Sequence, residues 1–272
     1  MSESVNILHS TVFKNKTAIV TGAGHGIGRA ICQAFAIRGA NVIAVDILEE
    51  QLQGTREEVT SSIQQTQSQG TIHTYQVDLT QSNRVQEFII DVIKQFHSIE
   101  ILVNNAGGVV GQVHQPIEKV TDDEWHKVLE INLYACFYMT RAVVPYMKER
   151  QYGRIVNISS GAGRSSSLTG IQAYTGSKAG QIGFTRQMAK ELGPYGITVN
   201  NVAPGFVLSN PSSIKQWDAM GEEKQQQLIE SISLKRIGKP EDIAHPVLFF
   251  ASDYSAYVSG QIISADGGLQ LF

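Results

Sequence analysis

Short apolar runs rich in β-branched residues alternate along this chain with longer stretches whose apolar positions recur every three or four residues. TAIVT (17–21) precedes IGRAICQAFAIRG, NVIAVD (41–46) precedes LEEQLQGTREEVTSSIQQTQSQ, and TIHTYQVD (71–78) precedes SNRVQEFIIDVIKQF. EILVNN (100–105) leads through a glycine-rich loop into a long helical pattern, GRIVNIS (153–159) and GITVNNVA (196–203) flank another, and QIISADGG (261–268) comes last. Runs of the first kind read as buried strands and stretches of the second as amphipathic helices. Strands joined by helices of this length lie parallel, because such crossovers cover both faces of the sheet. The pattern predicts a single α/β domain built on a doubly wound, seven-stranded parallel sheet, with ligands held beyond the carboxyl ends of the strands at the switch point. One stretch breaks the rhythm: the polar, Gln-rich segment at about 207–236 has no clear strand. A lid over a site and a plain surface helical hairpin both fit it.

Composition narrows the partners. With 272 residues, 42% of them hydrophobic, the chain can bury one substantial core. A net charge of −3 with scattered Lys and Arg excludes nucleic acid and anionic membranes as expected partners and leaves a small molecule. Residues 1–14 form an N-terminal extension without the apolar core of a signal peptide, and no later run is long enough to span a bilayer, so the expected location is the cytoplasm. Cys32 and Cys136 sit in apolar helical patterns, and the seven histidines are dispersed, so neither a disulfide framework nor a metal site is expected.

The first strand runs into TGAGHGIGRA (21–30), where Gly22, Gly26 and Gly28 fit G-x-x-x-G-x-G. A strand–turn–helix with glycines at that spacing lets a pyrophosphate approach the backbone at a helix N-terminus, although a tight structural turn would need them too. Asp46 ends the second strand twenty residues after Gly26, where a carboxylate accepts hydrogen bonds from adenosine ribose hydroxyls and repels a 2′-phosphate. Neither Ile47 nor Leu48 supplies a cation for that phosphate, so NAD is expected in preference to NADP. Further on, YTGSK puts Tyr174 and Lys178 four apart on one helix face, a spacing common at protein surfaces.

Together, Gly22-x-x-x-Gly26-x-Gly28, Asn104-Asn105-Ala106-Gly107, Tyr174-x-x-x-Lys178 and Pro204-Gly205 resemble the short-chain dehydrogenase/reductases over residues 15–268. RIGKPEDIA (236–244) and SGQIISADGG (259–268) resemble that family's closing segments. The resemblance implies a Rossmann-like domain over 15–272, a dimer or tetramer, and a catalytic group of Tyr174, Lys178, Ser160 and Asn132. Ser159 competes for the serine role, and Asn132 alone would read as a polar residue inside a helix. It also implies cofactor contacts from Gly22, Gly26, Ile27, Gly28, Asp46, Asp78, Leu79, Asn105, Gly107, Tyr174, Lys178, Val207 and Ser209, the last replacing the usual threonine. In such enzymes a tyrosine passes a proton to or from the substrate oxygen while a hydride moves to or from the nicotinamide. An ammonium one helical turn away favours its phenolate. Asn132 would hold a water linking Lys178 to solvent.

The hydroxyl-rich loop between Ser160 and Tyr174 carries Arg164, and Phe206 and Trp217 offer an apolar wall. These features favour a small polar hydroxy compound (a sugar, polyol or hydroxy acid), with Ser160, Arg164 and Phe206 touching it. The neighbouring reading is a 3-oxoacyl-[acyl-carrier-protein] reductase, whose usual NADP(H) preference Asp46 opposes. A third is an NAD-binding scaffold without catalysis.

Overall fold

The computed structural model describes residues 11–168 and 170–271. Strands β1 (Thr17–Thr21), β2 (Asn41–Asp46), β3 (Thr71–Gln76), β4 (Ile101–Asn104), β5 (Gly153–Ile158), β6 (Ile197–Pro204) and β7 (Ile262–Ala265) form one sheet in the order β3-β2-β1-β4-β5-β6-β7. All neighbours pair in parallel. The chain winds outward from β1 to β3, then crosses to β4 and winds the other way, so the switch point lies between β1 and β4. β1, β4, β5 and β6 are buried throughout, as strands covered on both faces should be.

The helices are α1 (Gly26–Ala36), α2 (Glu49–Thr66), α3 (Ser82–Phe96), α4 (Asp122–Leu129), α5 (Ala135–Arg150), α6 (Gly161–Arg164), α7 (Gln172–Leu192), α8 (Pro211–Ser231) and α9 (Pro240–Ala251). Side chains of α1, α2 and α9 build the core on one face of the sheet, and those of α3, α5 and α7 the core on the other. α3 shows the sequence logic plainly: Val85, Phe88, Ile89 and Val92, at helical spacing, are its buried residues. On the first face Phe35 is fully buried and meets Phe13 edge to face at 4.8 Å. Truncating such a phenylalanine to alanine costs about 3–5 kcal/mol. Phe13 thus ties the end of the N-terminal extension to the core, while residues 1–10 lie outside the described residues.

Four strands end earlier than their apolar runs, β5 by a single residue at Ile158. β3 stops at Gln76, before Asp78 turns the chain by accepting from the N–H and hydroxyl of Thr80. β4 stops at Asn104 as Asn105 turns toward β1. β7 stops at Ala265, where Asp266 accepts from Gly268 N–H and the chain passes through Gly267 (φ +66°) and Gly268 (φ +80°). The strandless segment after β6 is helical. α8 is broken at Gly221 (φ +73°, ψ 159°) and has no fully buried residue, whereas α9 is packed into the core.

Candidate active site

A cleft of about 690 Å³ opens at the carboxyl ends of the central strands, beside the switch point. Its floor begins at the glycine turn. A Cβ on Gly28 would lie 2.0 Å from Gly22 O, and one on Gly26 2.2 Å from Ser209 O, so the turn closes on itself and against the loop after β6 only with glycine at both positions. Thr55 Oγ1 lies 2.9 Å from both Ala23 O and Gly24 O, and Arg29 donates to Gly24 O at 2.7 Å. From the other side, Thr21 Oγ1 accepts from the N–H groups of Asn105 and Ala106 at 3.0 Å, and Asn105 Nδ2 donates to Thr21 O and Gly22 O. The Asn105 amide therefore braces the turn.

α1 starts from this turn with no cap of its own: the His25 side chain makes no capping bond and the first turn holds no acidic residue. Its leading N–H groups and positive dipole end are left to an external acceptor. Asp46 stands at the edge of the cleft, where Oδ2 accepts from Gly24 N–H at 2.9 Å and Oδ1 from Leu48 N–H at 3.1 Å. Each oxygen keeps a lone pair. Burial alone would raise the Asp78 carboxyl, but bonds from Thr80 and Gln81 hold it below its ordinary value.

Deeper in the cleft, α7 presents Tyr174 and Lys178 one turn apart, with Nζ 5.8 Å from the centre of the phenol ring. Nζ donates to Ile158 O and Gln181 Oε1, both at 2.9 Å. Burial lowers the Lys178 pKa from 10.5 to about 8. Burial also raises the Tyr174 phenol, and a hydrogen bond with Ser160 pulls the other way. The two serines after β5 diverge: Ser159 is buried and donates to Asn201 Oδ1, while Ser160 sits beside Tyr174 and caps α6 by accepting from Ala162 N–H.

Asn132 lies in a π-helical turn, Glu130–Tyr134, between α4 and α5. It is fully buried, its Nδ2 donates to Gly108 O and Val128 O at 2.8 Å, and its Oδ1 accepts from Gly108 N–H at 3.0 Å. Its side chain thus anchors the loop after β4 and does not line the cleft. Arg164 also lies off the main cleft, against an adjoining pocket where its Nη1 donates to Ser264 Oγ at 2.8 Å. Phe206 does line the cleft and packs on Trp217, ring centres 5.7 Å apart.

A family model described as enoyl-(acyl carrier protein) reductase matches residues 22–270. The 3-oxoacyl-[acyl-carrier-protein] reductase of Thermotoga maritima is 38% identical over 256 residues, covering 94% of this chain and 98% of that protein. The chain belongs to the short-chain dehydrogenase/reductase family. A second relative of the same description, from Staphylococcus epidermidis, is 36% identical over 94% of this chain and its own whole length. The crystal structure of levodione reductase superposes with a TM-score of 0.86 at 28% identity, covering 94% of this chain and 98% of that one. The protein is therefore an oxidoreductase that uses a nicotinamide cofactor, and the fold is the one its alternating pattern predicts.

The site of this short-chain dehydrogenase/reductase fits such a cofactor on its own geometry. The uncapped N-terminus of α1 leaves N–H donors for an anionic group, and Asp46 offers free carboxylate lone pairs to hydroxyl donors at the edge of the cleft. Of the residues expected to touch cofactor, Gly22, Ile27, Gly28, Asp46, Asp78, Leu79, Asn105, Gly107, Val207 and Ser209 line the cleft, and Gly26 lies beneath Ser209. Sequence reasoning missed Ser166, Ser167 and Leu168 on one wall and Gln270 on another. It also missed the braces Arg29 and Thr55, which stand on α1 and α2 and meet only once the fold is formed.

Proposed function

We propose that this enzyme interconverts a ketone and a secondary alcohol, with Tyr174 as the acid and base. The observation that carries the reading is the grouping of Tyr174, Ser160 and Lys178 at the inner end of a cleft that begins at the glycine turn. When bound, the nicotinamide supplies or removes the hydride. In the reducing direction Tyr174 Oη gives its proton to the carbonyl oxygen as the carbonyl carbon gains hydride, so C=O becomes CH–OH and a phenolate remains. The Lys178 ammonium stabilises that phenolate, and the Ser160 hydroxyl holds the substrate oxygen in line. Asn132 acts one step back, by anchoring the loop at Gly108.

For the substrate, the relatives described as 3-oxoacyl-[acyl-carrier-protein] reductases favour a 3-oxoacyl thioester over a sugar or polyol. A second reading, NAD-linked oxidation of a small polar hydroxy compound, draws on Asp46 and on the hydroxyls of Ser166 and Ser167. Asp46 favours NAD(H) under either reading, since its charge repels a 2′-phosphate. The start of α8 lines the cleft through Ser213 and Gln216, which supports a lid role for residues 207–236. Exposed Tyr134 and Phe137, the latter near Phe184, support a homo-oligomer.

The deciding assay follows NAD(P)H absorbance with acetoacetyl-CoA in the reducing direction and with a panel of polyols, sugars and hydroxy acids in the oxidising one. Thioester reduction with NADH is the expected result. Turnover confined to the hydroxy panel would establish the second reading, and strict dependence on NADPH would refute the role given to Asp46.

A further inference from the structure

The Lys178 ammonium has a neighbour that the proposed chemistry leaves unused. Gln181, one helical turn further along α7, is completely buried, and both ends of its amide are committed: Oε1 accepts from Lys178 Nζ and Nε2 donates to Asn132 O, each at 2.9 Å. That carbonyl belongs to the π turn, where Ala135 N–H bonds back to Glu130 O and shifts the backbone ladder out of α-helical register. We propose that Gln181 is a positioning residue for proton transfer, its amide pinning the Lys178 ammonium to the π turn so that the charge is held at a fixed place beside Tyr174. This rests on Tyr174 being the acid and base.

Three observations support the assignment. The amide stands between Lys178 and Asn132 and bonds to both, so it couples the ammonium to the backbone of the π turn. The titratable groups facing Nζ are Tyr174 on α7 itself and Cys136 on α5, while β5 contributes only the Ile158 carbonyl. Burial holds the Cys136 thiol up at about 12, so it stays neutral and does not offset the ammonium. With neutral acceptors alone, the position and the charge of Lys178 depend on each of them.

Two substitutions move that charge in opposite directions. Gln181→Met keeps the length and removes the acceptor. Gln181→Glu keeps an acceptor and adds a negative charge. The readout is competitive acetylation of Lys178 by acetic anhydride across pH, scored by mass spectrometry on the intact protein without cofactor or substrate. The midpoint should fall by about one unit in Q181M and rise by about one unit in Q181E. Unchanged midpoints, or shifts of the same sign, would overturn the assignment. Should Q181M fail to melt cooperatively, Q181E alone decides, and the absence of an upward shift overturns it. Failure of every ketone to turn over would count against the proposed function, while the acetylation midpoints would still decide the role of Gln181.

Discussion

Replacing Lys178 with methionine should remove a pH-dependent cost from the fold while it destroys the chemistry. Burial lowers the lysine from 10.5 to about 8, so the native state binds this proton less tightly than the unfolded chain does. Below pH 8 both states carry it, and the buried charge costs the native state about 3 kcal/mol relative to a neutral amine. Between about pH 8 and 10.5 the native lysine is neutral while the unfolded one is still charged, so stability rises with pH through that window and the cost fades. Methionine has no such term. The difference in unfolding free energy between K178M and wild type should therefore shift by about 2–3 kcal/mol in favour of wild type between pH 7 and pH 10. Urea denaturation of both proteins at one fixed protein concentration measures it, and taking the difference removes every other titrating group as well as the constant loss of two hydrogen bonds. Over the same change, an ammonium about 6 Å from the phenol is worth about 3 kcal/mol at an effective dielectric of about 20. Turnover of K178M at pH 7 should accordingly fall about 100-fold. A stability difference independent of pH would refute the claim that Lys178 is a charge held against its own burial.

Tyr174→Phe should lower turnover by about 10²–10⁴-fold while NADH still binds, as followed by nicotinamide fluorescence. An unimpaired variant would remove Tyr174 from the chemistry. Asp46→Ala should raise the KM for NAD well above its wild-type value and leave that for NADP unchanged or lower, and equal increases would contradict the ribose assignment. Ser159→Ala and Ser160→Ala should separate cleanly. S159A strands the buried Asn201 amide and should lower stability by about 1–3 kcal/mol with turnover largely kept. S160A should lose turnover with little change in its denaturation midpoint. The reverse pattern would reassign the serine.

The architecture was legible because a doubly wound sheet writes itself one element at a time. Each β-branched run becomes a strand within a few residues, and α3 falls on the stretch its periodicity marks. Where the ends differ, a short-range side-chain bond wins over the apolar pattern, as the turn at Asp78 does over the last residues of TIHTYQVD. Arg164 was misplaced for a related reason. A cation in the loop before Tyr174 looks poised for substrate, but the four-residue helix α6 carries it past the cleft to Ser264 on β7. Sequence distance to Tyr174 says nothing of that last strand.

What could not be read strand by strand is the row of amides beneath the cleft. Asn104, Asn157 and Asn201 interrupt three apolar runs, and parallel pairing brings them side by side across β4, β5 and β6. Asn104 donates to Asn157 at 2.9 Å, Asn157 and Asn201 both donate to Thr185 Oγ1, and Thr185 in turn donates to Gln181 O on α7. All four side chains are buried, so each lost partner would leave a polar group unpaired at about 1–3 kcal/mol. The row therefore fixes the height of α7 over the sheet, and with it Tyr174 and Lys178. It also consumes Ser159, through Asn201, and leaves its neighbour Ser160 to face the phenol. Which serine meets Tyr174 is thus decided by a polar partner one strand away, a pairing that appears only once register is known.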